Sequence, residues 1–114
     1  MGSKMEDFEK YSYEEFTIYA QFHRNIELSD SIVLGSSSVS AIDSAGDDAT
    51  GTVLTAATFA VVDSEVAGTN NALAIWVKAG TVAGSAYTIT FKVVTTDGNK
   101  FRKVVRMKIR EDES

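Results

Sequence analysis

The strongest constraint on the fold lies near the end of the chain, where two stretches of alternating apolar and polar residues flank a turn. The apolar residues share one parity before the turn and one parity after it: Tyr87, Ile89, Phe91, Val93, then Phe101, Val105, Met107 and Ile109. A period of two is typical of a strand with one buried face. The pattern therefore predicts a long β-hairpin that lays one face on a core.

The register of this hairpin follows from its turn. A two-residue loop would set Ile89 against Arg106 and scramble the two faces, which is strongly disfavoured. A three-residue loop, Thr96–Gly98, keeps apolar residues opposite each other and puts the glycine in a left-handed conformation, which a residue without Cβ adopts readily. The predicted pairs are Tyr87 with Met107, Ile89 with Val105 and Val93 with Phe101.

The rest of the chain contains shorter strand signals. Residues 15–22 and 72–78 alternate clearly, whereas residues 37–44, 53–54 and 59–62 are briefer runs, and residues 26–34 indicate an irregular edge segment. Proline is absent, and small and β-branched residues are abundant. About seven short strands with frequent turns predict an all-β, immunoglobulin-like antiparallel β-sandwich.

A chain of 114 residues is long enough for one domain with one core. We assign residues 15–110 to the sandwich and residues 111–114 to an acidic tail. Residues 1–14 are expected to form a flexible or partner-ordered arm, in which residues 5–13 are a frayed end, a helical turn or a segment that orders on a partner. Residues 1–4 resemble a vector remnant.

Composition restricts the function classes. The chain has no cysteine, which excludes disulfides and thiolate chemistry and suits assembly in the cytoplasm. No apolar run is long enough to span a membrane, and no signal peptide is visible. Residues 1–65 carry 3 bases and 12 acids (−9), and residues 66–114 carry 8 bases and 4 acids (+4). Because the whole chain is acidic, we expect a protein partner or a neighbouring copy rather than nucleic acid.

Catalytic patterns are missing. His23 is the only histidine, so a catalytic triad or a histidine-ligated zinc site lacks its partners. Asp43, Asp47 and Asp48 could coordinate calcium, but their spacing does not match an EF-hand loop, and solvated turn residues are the better interpretation. Phosphate-binding glycine motifs are absent. The sequence predicts no enzyme, no metal and no cofactor.

The outward face of the hairpin is basic. Its candidate contact residues are Lys92, Arg102, Arg106, Lys108 and Arg110, which we call the basic ribbon. The ribbon is either a solvated face whose charges oppose aggregation, or an interface for an acidic patch such as residues 6–15 of the next copy. Lys103 shares the parity of the core residues and is expected at the rim, where its stem can stay buried.

Trp76, the single tryptophan, has the opposite parity to Leu73, Ile75 and Val77. An exposed Trp76 beside Tyr19 or Tyr87 would favour a carbohydrate-binding or adhesive module. Covering a loop or packing at an interface is the more common role of such a residue.

Residues 72–110 resemble a family of small immunoglobulin-like structural proteins from tailed phages and prophages, in particular the fiber-tail adaptor group. The motifs that carry the likeness are Lys78-Ala79-Gly80-Thr81, Ala83-Gly84-Ser85, the Tyr-Thr-Ile-Thr strand at 87–90, Thr95-Thr96-Asp97-Gly98 and the basic strand 102–110. The resemblance implies a non-enzymatic virion part that acts in several copies in a tail or neck. It also implies contacts with other virion proteins or copies of itself, a weak homo-oligomer, and a location in the host cytoplasm and then the virion.

Overall fold

The computed structural model describes residues 6–22, 31–54, 60–62, 72–78 and 85–110. Seven strands lie in these ranges: β1 (Glu6–Tyr11), β2 (Phe16–Gln21), β3 (Ser38–Ile42), β4 (Ala60–Val62), β5 (Ala72–Val77), β6 (Ala86–Val94) and β7 (Lys100–Arg110). Two short helices accompany them, a 3-10 helix at Leu34–Ser36 and α1 at Thr50–Val53. The strands form a four-stranded sheet, β1-β7-β6-β3, and a three-stranded sheet, β2-β5-β4. The predicted immunoglobulin-like β-sandwich is confirmed.

The β6–β7 hairpin has the predicted register. Ile89 lies across from Val105, Tyr87 from Met107 and Val93 from Phe101. The turn closes with the Gly98 amide donating to the Thr95 carbonyl at 2.9 Å and the Thr95 amide donating to the Asn99 carbonyl at 2.9 Å. Gly98 has φ +86°, the left-handed conformation that a three-residue loop requires at this position.

The core is built from the inward residues of both sheets. Every second residue of β6 and of the second half of β7 is buried, and Ile89, Phe91 and Met107 are fully enclosed. From the other sheet, β5 contributes Leu73 and Ile75, and β2 contributes Ala20. Alternation along each strand therefore decides which residues pack together and leaves the other half of each strand on an outer face.

Residues 6–11 differ from the expected arm. They form β1, which pairs in parallel with β7 over six residues, from Glu6 beside Val105 to Tyr11 beside Arg110. Phe8 packs on the core, and its ring meets that of Phe16 edge to face with centroids 6.2 Å apart. The segment is ordered on its own chain because it buries an aromatic ring and completes the backbone hydrogen bonds of the last strand.

The predicted strand at 53–54 is wrong. Val53 ends the single turn of α1, and Leu54 makes only an isolated bridge to Val77. Both side chains are buried, so the apolar run marks burial and not a strand, an ambiguity that a two-residue run cannot resolve. In residues 26–34, the part that is described contains no strand; Ile32 is bridged to Thr95 and leads into the 3-10 helix. His23 and residues 111–114 lie outside the described residues.

Candidate functional site

The basic ribbon lies on the outer face of the four-stranded sheet. Arg102, Arg106, Lys108 and Arg110 project from β7 on the side away from the core, and Lys92 projects from β6 on the same side. All five are exposed. Successive outward residues of one strand are about 7 Å apart, so the ribbon is a line of charge along the hairpin. Lys103 is partly buried across from Phe91, as expected for the rim.

Acidic residues of β1 flank one half of this ribbon. The parallel register sets Asp7 beside Arg106 and Glu9 beside Lys108. The Arg110 guanidinium donates to Glu9 Oε2 at 2.9 Å. Both side chains of this pair are at least half exposed, so we expect it to contribute at most about 1 kcal/mol to stability. The acidic strand that the sequence analysis placed on a neighbouring copy is thus supplied here by the same chain.

The other half of the ribbon lies near the hairpin turn. Lys92 is directly across from Arg102, and Lys100 precedes Arg102 by two residues on the same face. We call Lys92, Lys100 and Arg102 the cation cluster. Like charges directly opposite each other on a sheet are destabilising. Within the described ranges, the side chains of Lys92 and Lys100 make neither a hydrogen bond nor an ion pair. The cluster is therefore a local concentration of positive charge that favours an anionic neighbour.

An acidic turn follows β3 at Asp43–Asp48. Asp43 Oδ1 accepts hydrogen bonds from the amides of Ala45 and Asp47, at 2.9 and 3.0 Å. Asp48 Oδ1 accepts from the Thr50 hydroxyl at 2.7 Å and from the Thr50 amide at 3.1 Å. These two bonds stabilise the carboxylate, the hydroxyl bond most, and hold the pKa of Asp48 below its ordinary value. These hydrogen bonds hold the carboxylates of Asp43 and Asp48 in place within the turn.

Lys10 is a buried structural residue that the sequence analysis missed. Its side chain is only 1% exposed, and its ammonium donates to the carbonyl oxygens of Tyr11 at 2.9 Å and Glu14 at 2.8 Å, with a longer contact to Ser12. The lysine therefore fastens the connection between β1 and β2, which lie in different sheets. Lys10 shares the inward side of β1 with Phe8, but this parity has meaning only once residues 6–11 are known to form a strand.

Trp76 lies on the opposite surface of the molecule. It projects from β5 on the outer face of the three-stranded sheet and is 40% exposed. Thr17 lies across from it, and Tyr19, 60% exposed, lies across from Ala74 and is a diagonal neighbour. Tyr87, the other aromatic residue considered beside it, is buried in the four-stranded sheet. The candidate residues thus fall on two separate faces, the cations on one and Trp76 on the other.

Within the described ranges, no group of three or more His, Asp or Glu side chains is arranged to hold a metal ion. No helix in those ranges is both long and apolar enough to cross a membrane.

Comparison with known proteins gives a likeness of fold. Neither a protein-family model nor a curated protein matches the chain. Among solved structures, the crystal structure of CopC from Methylosinus trichosporium OB3b is similar, with a TM-score of 0.57 and 17% sequence identity. The match covers 98% of this chain and 89% of that chain. At this identity the likeness concerns architecture alone, and it supports the immunoglobulin-like sandwich.

Proposed function

We propose that this chain is a non-enzymatic structural protein of a phage or prophage particle, a tail, neck or fiber-adaptor component that acts through protein–protein contacts. The observation that carries the proposal is the exposed basic ribbon on the outer face of the four-stranded sheet. The ribbon belongs to a hairpin whose strands pair over nine residues, so the backbone sets the spacing of its charged side chains in a row. A row of charge steers and registers a complementary protein surface.

The sequence resemblance to phage adaptor proteins supports a phage or prophage particle as the place where the chain acts. On this proposal, the chain folds in the host cytoplasm and is then incorporated into the virion beside other virion proteins or copies of itself.

The test uses the strain that carries the gene. Particles are induced with a DNA-damaging agent from the parent, from a deletion strain, and from the deletion strain complemented in trans. We expect the chain to co-purify with particles and the deletion to stop particle assembly. Complementation should succeed with the parent chain and with Ala60→Glu, an exposed position on the other sheet, and fail with Arg102→Glu/Arg106→Glu. Normal particles from the deletion strain would overturn the proposal.

A second candidate function, a carbohydrate-binding or adhesive module, is favoured by one observation. Trp76 and Tyr19 are exposed together on an outer face, and flat aromatic side chains of this kind stack on sugar rings. Because Trp76 is the single tryptophan, its emission reports binding directly. Titration with soluble glycans should then shift the emission of the parent and leave that of Tyr19→Ala unchanged. A parent whose emission is constant across the glycans would remove this candidate.

A further inference from the structure

The cation cluster and the acidic turn lie at opposite ends of one sheet. β3 runs antiparallel to β6, with Ser38 across from Lys92 and Ile42 across from Thr88. The acidic turn begins directly after Ile42, at the end of the sheet where β6 starts, whereas the cluster lies where β6 ends. Thr88 and Lys92 are four residues apart on β6, which is about 13 Å of strand, and Lys100 lies farther along. The acidic turn and the cation cluster are therefore separate surfaces of one molecule.

Their chemistry is complementary. The turn carries three carboxylates, Asp43, Asp47 and Asp48, and the cluster carries three cations. The internal hydrogen bonds of Asp43 and Asp48 shape the turn in advance, so little ordering entropy is lost on contact.

We propose that copies of this chain associate head to tail, with the acidic turn of one copy docked on the cation cluster of the next. Such a contact joins two different surfaces, so it repeats into an open row or closes into a ring. The inference rests on the proposed function. It restricts the contact surface from the whole basic ribbon to the cation cluster near the hairpin turn, because β1 supplies acidic residues beside the other half of the ribbon.

The test exchanges charges and measures the oligomeric state by light scattering with size exclusion. It is made at about 0.01 M salt, where the Debye length is about 30 Å, and at about 1 M salt, where the Debye length is about 3 Å. The head variant is Lys92→Glu/Lys100→Glu. The tail variant is Asp47→Lys/Asp48→Asn, which retains an oxygen acceptor for Thr50. The matched control, Lys108→Glu/Arg110→Glu, makes the same change of charge in the other half of the ribbon and leaves Arg106, which lies beside Asp43 and Gly46, unchanged. Circular dichroism checks that each variant is folded.

The expected results are specific. The parent and the control associate at low salt and dissociate at high salt, whereas the head variant and the tail variant are each monomeric. A mixture of the two variants associates again at low salt, because it retains one intact turn and one intact cluster that can meet.

Two results would overturn the head-to-tail contact. A parent that is monomeric at low salt refutes self-association, although the particle experiment could still establish an assembly role with another partner. Association that is lost in the control and kept in the head variant places the contact elsewhere on the ribbon, which would leave the proposed function standing. Particles that assemble normally without the chain would instead refute the proposed function itself.

Discussion

Replacing Lys10 by alanine should destabilise the sandwich markedly, although the residue is a lysine near the start of the chain. The side chain is 1% exposed, and its ammonium donates to the Tyr11 and Glu14 carbonyls. Tyr11 O also accepts the Glu14 amide at 3.0 Å and stays satisfied after the substitution. Among the contacts described for Lys10, the change leaves the Glu14 carbonyl without this donor and removes three buried methylenes.

The magnitude follows from these two losses. Three methylenes at about 0.8 kcal/mol each give about 2.4 kcal/mol, and the lost hydrogen bond from the charged ammonium to the Glu14 carbonyl, which is partly buried, adds about 1.5–3 kcal/mol. Part of this is offset because the ammonium no longer has to be desolvated. We therefore expect Lys10→Ala to lower the free energy of unfolding by about 2–4 kcal/mol. Lys10→Met, which keeps an apolar stem, should recover most of the methylene contribution.

Urea unfolding followed by circular dichroism measures the effect. With a slope of about 1–3 kcal/mol per molar urea, the midpoint should fall by about 1 M or more. The control is Lys100→Ala, an exposed strand lysine, which should stay within about 0.5 kcal/mol of the parent. If Lys10→Ala unfolds as the control does, Lys10 does not fasten the β1–β2 connection and the argument from burial is refuted.

Two further predictions concern the turns. Gly98→Ala should lower the free energy of unfolding by about 1–2 kcal/mol, because an L side chain at φ +86° is strained even though no atom lies within 4 Å of the added Cβ. Gly98→Asn should lower the free energy of unfolding less in the same urea experiment. Equal losses in the two variants would contradict the role of φ. Thr50→Val removes the hydroxyl bond and should raise the pKa of Asp48 towards its ordinary value in a carboxyl NMR titration. Because that pKa is depressed in the folded state, the stability linked to it is present above the unfolded pKa and is lost as pH falls through the folded one. Thr50→Val should therefore reduce the loss of stability at acid pH. The control Thr52→Val should leave the Asp48 titration as in the parent. A shift of the Asp48 pKa in both variants would indicate a general change in the turn and not the loss of one hydrogen bond.

Alternation along the strands and the residues of one tight turn were sufficient to predict a large part of the fold. Alternation along residues 86–110 predicts both the buried face and the outward cations, because a strand places neighbours on opposite sides whatever packs against it. The glycine of the turn then selects the register, since only one loop length keeps the apolar residues paired. The same reasoning placed β2 and β5.

These local patterns could not predict which distant segments pair with each other. Glu9 meets Arg110 across 101 positions of the chain, and the mixed polar and aromatic segment at 6–11 has no local feature that distinguishes a strand from a tail. The inward position of Lys10 follows only once β1 is in the sheet. The placement of Val53 in a helical turn is also a tertiary result, since a two-residue apolar run is compatible with either element.

The sequence by itself determined the fold class, the closing hairpin, its register and the sign of its outer face. These properties depend on residues that are neighbours along a strand or across a tight turn, where geometry is fixed by the backbone. Only the tertiary structure decided which half of the basic ribbon has acids beside it, because that depends on β1 pairing with β7. It also decided that the ribbon and Trp76 occupy opposite faces, because each sheet of a sandwich turns its inner side to the core and its outer side to solvent.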